Sequence, residues 1–312
     1  MNTAAAYERE PVGPGRGRNR RKLYNELLGG AFIAPYMIFF LTFSILPIFY
    51  GLYVSFHHWT LAGKDEFAGL ANYRYALKDA DFWASLWHST YFVLLSTPLM
   101  IAVPFVLALL VDSKLKGRTL LRTIFFMPQV LSVAVVSYIW VFILAPYGGL
   151  FNTTLRHLGI LAADTELFWL NEPDLAWISI VMITVWWTQG FNMIVLLAGL
   201  QDIPAEHYEA ATLDGAGGWQ RLRYITLPAM RGVLLIVTVL QVIASFKVFG
   251  QVWLVTRGGP GNETRTMIQY IYETGFSANE LGLATAMSFF FFVFLLVLSF
   301  LQFKFFSRKG DD

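Results

Sequence analysis

Six runs of 23 to 26 apolar residues recur along the chain, at 31–56, 87–111, 123–145, 176–200, 232–256 and 281–303. A hydrocarbon layer about 30 Å thick takes about 20 residues of helix, so each run is long enough to cross it. None alternates apolar with polar positions, as the wall of a membrane β-barrel does. A helix, by contrast, satisfies its own backbone hydrogen bonds in lipid. The pattern predicts an all-α membrane protein with six transmembrane helices. Pro35, Pro47, Pro98, Pro104 and Pro128 fall inside the runs. Such prolines are tolerated where neighbouring helices meet the carbonyls they free. The runs carry one formal charge, Lys247.

The connections sort the basic residues. Sixteen lysines and arginines lie before residue 31, in 112–122, in 201–231 and from 304 onward, against six in 57–86, 146–172 and 257–280. Basic residues accumulate on the cytoplasmic side, so both chain ends are expected there. Residues 1–30 then form a cytoplasmic tail, whose Gly-, Pro- and Arg-rich stretch 11–22 reads as solvated. Residues 31–304 form the transmembrane domain, and 305–312 a second cytoplasmic tail. The first run is too long for the apolar stretch of a signal peptide, and no small-residue cleavage site follows it.

Only 14% of the residues are charged, against about 25% in a soluble domain, which excludes a purely cytoplasmic enzyme. A net charge of +2 leaves no electrostatic footprint for nucleic acid. Cysteine is absent, and with it disulfides, thiolate metal sites and cysteine nucleophiles. The histidines sit at or beyond span ends, and only the adjacent pair His57-His58 has a spacing worth noting. Adjacent histidines at a helix end are expected at the membrane interface. No paired intramembrane carboxylates occur, so neither hydrolysis within the membrane nor ion-coupled transport has candidate residues.

The 201–231 connection is more than a link. A helix is expected from Pro204, which suits a first-turn position, with Glu206 and Glu209 near its positive end. Ala210, Ala211 and Leu213 give it a small apolar face. Asp214-Gly215 and Gly217-Gly218 break it, and a second short helix over 219–224 is expected to stop before Pro228. The result is a helix–turn–helix knob projecting into the cytoplasm.

Glu209-Ala210-Ala211, Asp214-Gly215-Ala216 and Ile225-Thr226-Leu227-Pro228 resemble the EAA loop of binding-protein-dependent ABC importer permeases, closest to the maltose and glycerol-3-phosphate type of sugar permease. The likeness extends over roughly residues 30–304. It includes Gly117-Arg118, Arg122 to Pro128, Gly149-Leu150-Phe151-Asn152, Ala198 to Gln201, Thr256 to Pro260 and Tyr270-Ile271-Tyr272. Leu222 stands where that family usually has Phe, and Gly250 where an acidic residue often follows the Phe at 249. The resemblance implies a type I importer permease fold with a core permease domain at about 87–303 and EAA coupling helices. It also implies location in a bacterial or archaeal inner membrane.

Its implied partners are a second, similar permease, two ATPase subunits, an extracytoplasmic solute-binding protein and membrane lipid, with no nucleic acid. The chain has no Gly-x-x-x-x-Gly-Lys-[Ser/Thr] with which to cradle phosphates. The resemblance therefore implies no cofactor on this chain, ATP and magnesium being held by the partner ATPases. ATPase coupling would fall to Glu209, Ala210, Ala211, Asp214, Gly215, Ile225, Leu227 and Pro228.

A polar solute needs polar or aromatic groups facing the bundle interior. Thr238, Gln241 and Ser245 share one face of the fifth run; in the fourth, Trp187 and Phe191 stand beside Thr188 and Asn192. With Lys247, the residues Trp187, Phe191, Asn192, Gln241 and Ser245 are the candidate solute path. Hydrogen bonding between helices is the competing role for the polar members. Snorkelling toward the outer end of its span is the competing role for Lys247.

Overall fold

The computed structural model describes residues 16–63, 65–112 and 117–307. The chain divides into two compact units between Val54 and Ser55. In the first, α1 (Arg16–Phe40) runs through a π turn (Leu41–Ile45) into α2 (Leu46–Ser55). The helix begins at Arg16, within the stretch expected to be a solvated cytoplasmic tail. Residues 1–15 and 308–312, which hold the rest of the two predicted tails, lie outside the described residues.

The π turn has a local cause. Pro47 offers no N–H, and its ring crowds the carbonyl four residues back. Widening the preceding turn, so that Leu46 N donates to Leu41 O, accommodates it. The same device recurs at Pro228, where Leu227 N donates to Leu222 O.

The second unit is built on α4 (Ala80–Asp112), whose 33 residues make a rod about 50 Å long. It packs along α8 (Pro173–Gln201) and α12 (Arg231–Phe246). Phe92, Ile180, Met193 and Val237 are among the buried side chains where they meet. Pro173 opens α8 with Asp174 in its first turn, a pairing that suits the positive helix end. α15 (Leu281–Ser307) packs against α12 and against α14 (Met267–Tyr272).

Among the described residues four helices are long and apolar enough to span a membrane: Tyr24–Ser55, Ala80–Asp112, Pro173–Gln201 and Leu281–Lys304. The third and fifth apolar runs are not straight spans. The third is divided between α5 (Arg118–Phe126), with its 3₁₀ turn Met127–Val130, and α6 (Val133–Ile143), which is turned by 99°. Ser132 caps α6, its hydroxyl accepting from Val135 N at 3.4 Å. The fifth run breaks at Lys247, where α12 ends, and resumes as α13 (Gly250–Val255). A second bend, of 67°, separates Gly218–Ala229 from α12, and with each of these two bent pairs taken as one span the described residues hold up to six.

Among the described residues one connection carries strands. β1 (His57–Trp59) pairs antiparallel with β2 (Asp65–Phe67), and α3 (Ala71–Lys78) follows. Asn72 Nδ2 donates to the carbonyls of Ser55 and His57, each at 2.9 Å, which fixes the hairpin. His57 is consequently buried, its ring edge on Phe67, whereas His58 is exposed. The pair therefore belongs to a strand, not to a helix end.

Asn152, in α7 (Leu150–His157), is fully buried. Its amide donates to Pro146 O, Glu166 Oε2 and Leu167 O, each at 3.0 Å, and its oxygen accepts from Trp169 Nε1 at 2.8 Å. One side chain thereby ties the whole connection together. Asn152→Leu strands these groups and should cost about 2 kcal/mol. A fall in the unfolding midpoint of the purified protein will show it, and an unchanged midpoint will refute it.

Candidate solute cavity and coupling loop

Where α4, α8 and α12 converge they border an open-sided cavity of about 240 Å³. Its polar members form a connected network. Asn192 Nδ2 donates to Met100 O at 2.9 Å and to Gln241 Oε1 at 2.8 Å, and Gln241 Nε2 donates to Ser245 Oγ at 3.0 Å. Ser96 Oγ donates to the same Ser245 oxygen at 3.3 Å. The bond to Met100 answers a deficit written in the sequence. Pro104 lacks the N–H that would otherwise reach that carbonyl, and Asn192 supplies a donor from α8 instead.

The lining brings together four of the residues expected on the solute path: Phe191, Asn192, Gln241 and Ser245. Phe191 is 55% exposed, an aromatic face left available beside the amides. Trp187 is elsewhere. Its indole donates to Leu131 O at 3.0 Å, at the bend between the 3₁₀ turn and α6, so it holds that bend in place. Thr238 turns its hydroxyl onto Leu234 O within its own helix. Lys247 is exposed at the end of α12 and is not part of the lining.

Other lining groups come from places the helical stripes do not indicate. Gln129 arrives from the 3₁₀ turn, and with its amide nitrogen turned toward α8 it donates to the carbonyls of Trp187 and Thr188 at 3.2 and 3.3 Å. Gln251, beyond the break in the fifth run, donates to Thr184 Oγ1 at 3.3 Å. Gly250 sits where an acidic residue was expected. A Cβ there would stand 3.0 Å from Val133 Cγ2, so close packing of α13 on α6 leaves no room for a carboxylate without displacement.

At the opposite end of α12 lies the knob. α9 (Ala205–Leu213) starts after Pro204 and ends on Gly215 at φ +78°. Gly215 N donates to Thr212 O and Ala216 N to Ala211 O, the paired bonds of a Schellman ending. The second helix does not stop before Pro228. α10 (Gly218–Arg221) continues through a π turn, Leu222–Thr226, into α11 (Leu227–Ala229), and only then bends by 67° into α12.

Tyr208 Oη lies 3.0 Å from Thr226 Oγ1, and Arg221 Nη1 donates to Thr212 Oγ1 at 3.3 Å, so the two helices of the knob brace each other. Ala211, Asp214, Gly215 and Ile225 line a groove of about 340 Å³, while Glu209, Ala210, Leu227 and Pro228 are exposed. Leu213, Trp219 and Tyr224 are exposed as well, at 89%, 71% and 70%. So much apolar area without cover marks a contact surface.

The chain that carries this knob and cavity is similar to proteins of known kind. Residues 100–310 match the family model described as the binding-protein-dependent transport system inner membrane component. The chain belongs to this family. It is a permease subunit of an ABC importer and a multi-pass inner-membrane protein, and the transport it serves is driven by its partners, not by an enzymatic activity of its own. The permease is 35% identical to the trehalose/maltose transport system permease protein MalF of Thermococcus litoralis, over 88% of this chain and 90% of that one. It is 32% identical to the arabinooligosaccharides transport system permease protein AraP of Bacillus subtilis, over 90% and 89%. Its fold matches a crystal structure of a bacterial ABC transporter importing the acidic polysaccharide alginate. That match has a TM-score of 0.82 and 25% identity, over 94% of this chain and 99% of the other. Among the described residues no group of three or more His, Asp or Glu side chains is placed to hold a metal ion.

Proposed function

We propose that this permease moves a saccharide, delivered by an extracytoplasmic binding protein, through the cavity between α4, α8 and α12. It works beside a second, similar permease, and both are driven by two ATPase subunits that hold the ATP and magnesium. The spans number six, the third crossing as α5 with α6 and the fifth as α12 with α13, and both chain ends are cytoplasmic. The knob at 201–231 is then cytoplasmic, and the hairpin and residues 257–280 face outward. Glu209, Ala210, Ala211, Asp214, Gly215, Ile225, Leu227 and Pro228 carry the movement of the ATPases to α12.

The observation that carries this reading is the cavity's chemistry. Amides of Asn192, Gln241 and Gln251, hydroxyls of Thr188 and Ser245, and the rings of Phe92 and Phe191 line one small space. A sugar presents the complementary surface: hydroxyls for the amides and an apolar face for an aromatic ring. The saccharide transport named for the similar permeases supports the same class. Gln241→Leu should raise the saccharide concentration needed for half-maximal uptake by roughly tenfold, the worth of one hydrogen bond left unmade. Uptake by proteoliposomes holding the assembled complex measures this, and a half-saturation unchanged from wild type would remove the cavity from the path.

A further inference from the structure

A charged cluster at the outward end has no part in the coupling or cavity chemistry described so far. Arg265 is 8% exposed. Its Nη2 lies 3.0 Å from Asp81 Oδ1 at the start of α4, and its Nη1 lies 3.8 Å from Glu273 Oε2. The guanidinium stands 4.6 Å from the centre of the Tyr270 ring. Tyr270 in turn donates its hydroxyl to Asp79, and Gln269 Nε2 donates to Glu273 at 2.8 Å. Burial, and then the bond to Asp79, push the Tyr270 hydroxyl far above the ordinary tyrosine range.

The backbone beside this arginine reaches the cavity. His88 Nδ1, on α4, lies 3.2 Å from Arg265 O. Met267 N donates to Ser89 Oγ at 2.8 Å, on the helical turn before Phe92. Thr266 Oγ1 donates to Val248 O at 3.0 Å. Val248 lines the cavity and belongs to the break between α12 and α13, where a carbonyl has lost its helical partner. Three consecutive residues, Arg265 to Met267, thus join α4 to the interrupted wall of the cavity. A guanidinium withdrawn from water is costly unless paired, so its carboxylates fix where these three residues sit.

We propose that Arg265 is a positioning residue for transport: anchored by Asp81 and Glu273, it clamps the Thr266–Val248 bond and so sets the outer wall of the cavity for coupled transport. This rests on the cavity being the solute path. Its consequence is tight use of ATP, because a wall held in place prevents the ATPase cycle from turning over without a solute crossing.

The test uses the complete complex in proteoliposomes, with ATP hydrolysed per solute imported as the readout. A merely structural defect lowers both rates in proportion and leaves that ratio alone. Arg265→Gln should raise the ratio at least fivefold, Arg265→Lys should recover part of the loss, and Thr266→Val should raise the ratio at least twofold. A wild-type ratio in assembled Arg265→Gln complexes overturns the proposal. Should that variant fail to assemble, Thr266→Val, which leaves every charge in place, decides alone, and a wild-type ratio there overturns it equally. Gln241→Leu separates the two readings. If Gln241→Leu is neutral while Thr266→Val uncouples, the cavity assignment falls, and with it the proposed reason for the clamp, while the Thr266–Val248 bond still governs coupling; the opposite pair of results removes the clamp only.

Discussion

ATP-driven uptake should fall by roughly a hundredfold when Glu209→Lys and Gly215→Pro are combined, the size expected when a coupling free energy of about 3 kcal/mol is lost. The two changes act on different features. Gly215 holds φ +78°, a value closed to proline, whose ring fixes φ near −65°. Its N–H, which ends α9 by donating to Thr212 O, disappears as well. The α9 ending then loses its paired bonds, and the groove lined by Ala211, Asp214 and Ile225 loses one wall. Glu209→Lys leaves the helix intact but reverses an exposed charge on the face proposed to meet the ATPase. Because the knob is exposed and contributes few buried residues, the subunits should still insert and associate. Uptake and ATP hydrolysis measured on the same purified complexes make the check. Normal uptake would refute the lever role of the 201–231 loop.

The second large effect is on folding. Gly282, in the first turn of α15, lies against the hairpin so closely that a Cβ there would stand 2.0 Å from His57 O. It would also stand 3.1 Å from both Asn72 Nδ2 and Trp59 N. The two nearest backbone atoms cannot move aside as a flexible side-chain tip would. Asn72 is itself committed to the carbonyls of Ser55 and His57, so a shift breaks those bonds too. Gly282→Ala should cost about 3 kcal/mol, the upper end of the range for overpacking. Gly232→Ala is the internal control: it too adds a methyl to a helical glycine, but it meets nothing within 4 Å, and alanine favours a helix there. Thermal unfolding of the two purified variants should give a clearly lower midpoint for the first and an equal or higher one for the second. Equal midpoints would mean that the hairpin does not bear on α15 as described.

Much of this architecture is legible in the sequence because lipid imposes a simple length and polarity rule. The runs that become α4, α8 and α15 emerge as continuous helices. Proline content does not tell which runs bend. Pro98 and Pro104 lie within the unbroken α4, whereas a single Pro128 precedes a 99° turn. The difference is tertiary: Asn192 meets the carbonyl that Pro104 frees, while the chain after Pro128 turns and restarts with Ser132 as its cap. The same limit applies at the cavity. Asn192, Gln241 and Ser245 could be found from helical spacing, since each stands on a regular helix. Gln129 and Gln251 could not, because one comes from a 3₁₀ turn and the other from beyond a break, where periodicity no longer says which way a residue faces. Trp187 lies outside the lining, since an indole four residues before a cavity phenylalanine serves equally well to pin a bend.

Because a side-chain amide of α8 takes the place of a missing main-chain donor inside α4, these two helices cannot slide along each other without stranding Met100 O in a medium that offers it no water. A motion that carries α4 and α8 together as one slab keeps this bond intact. Its hinges then have to be sought in the irregular stretches at Leu131–Ser132 and Lys247–Phe249, where the backbone has already left its helix.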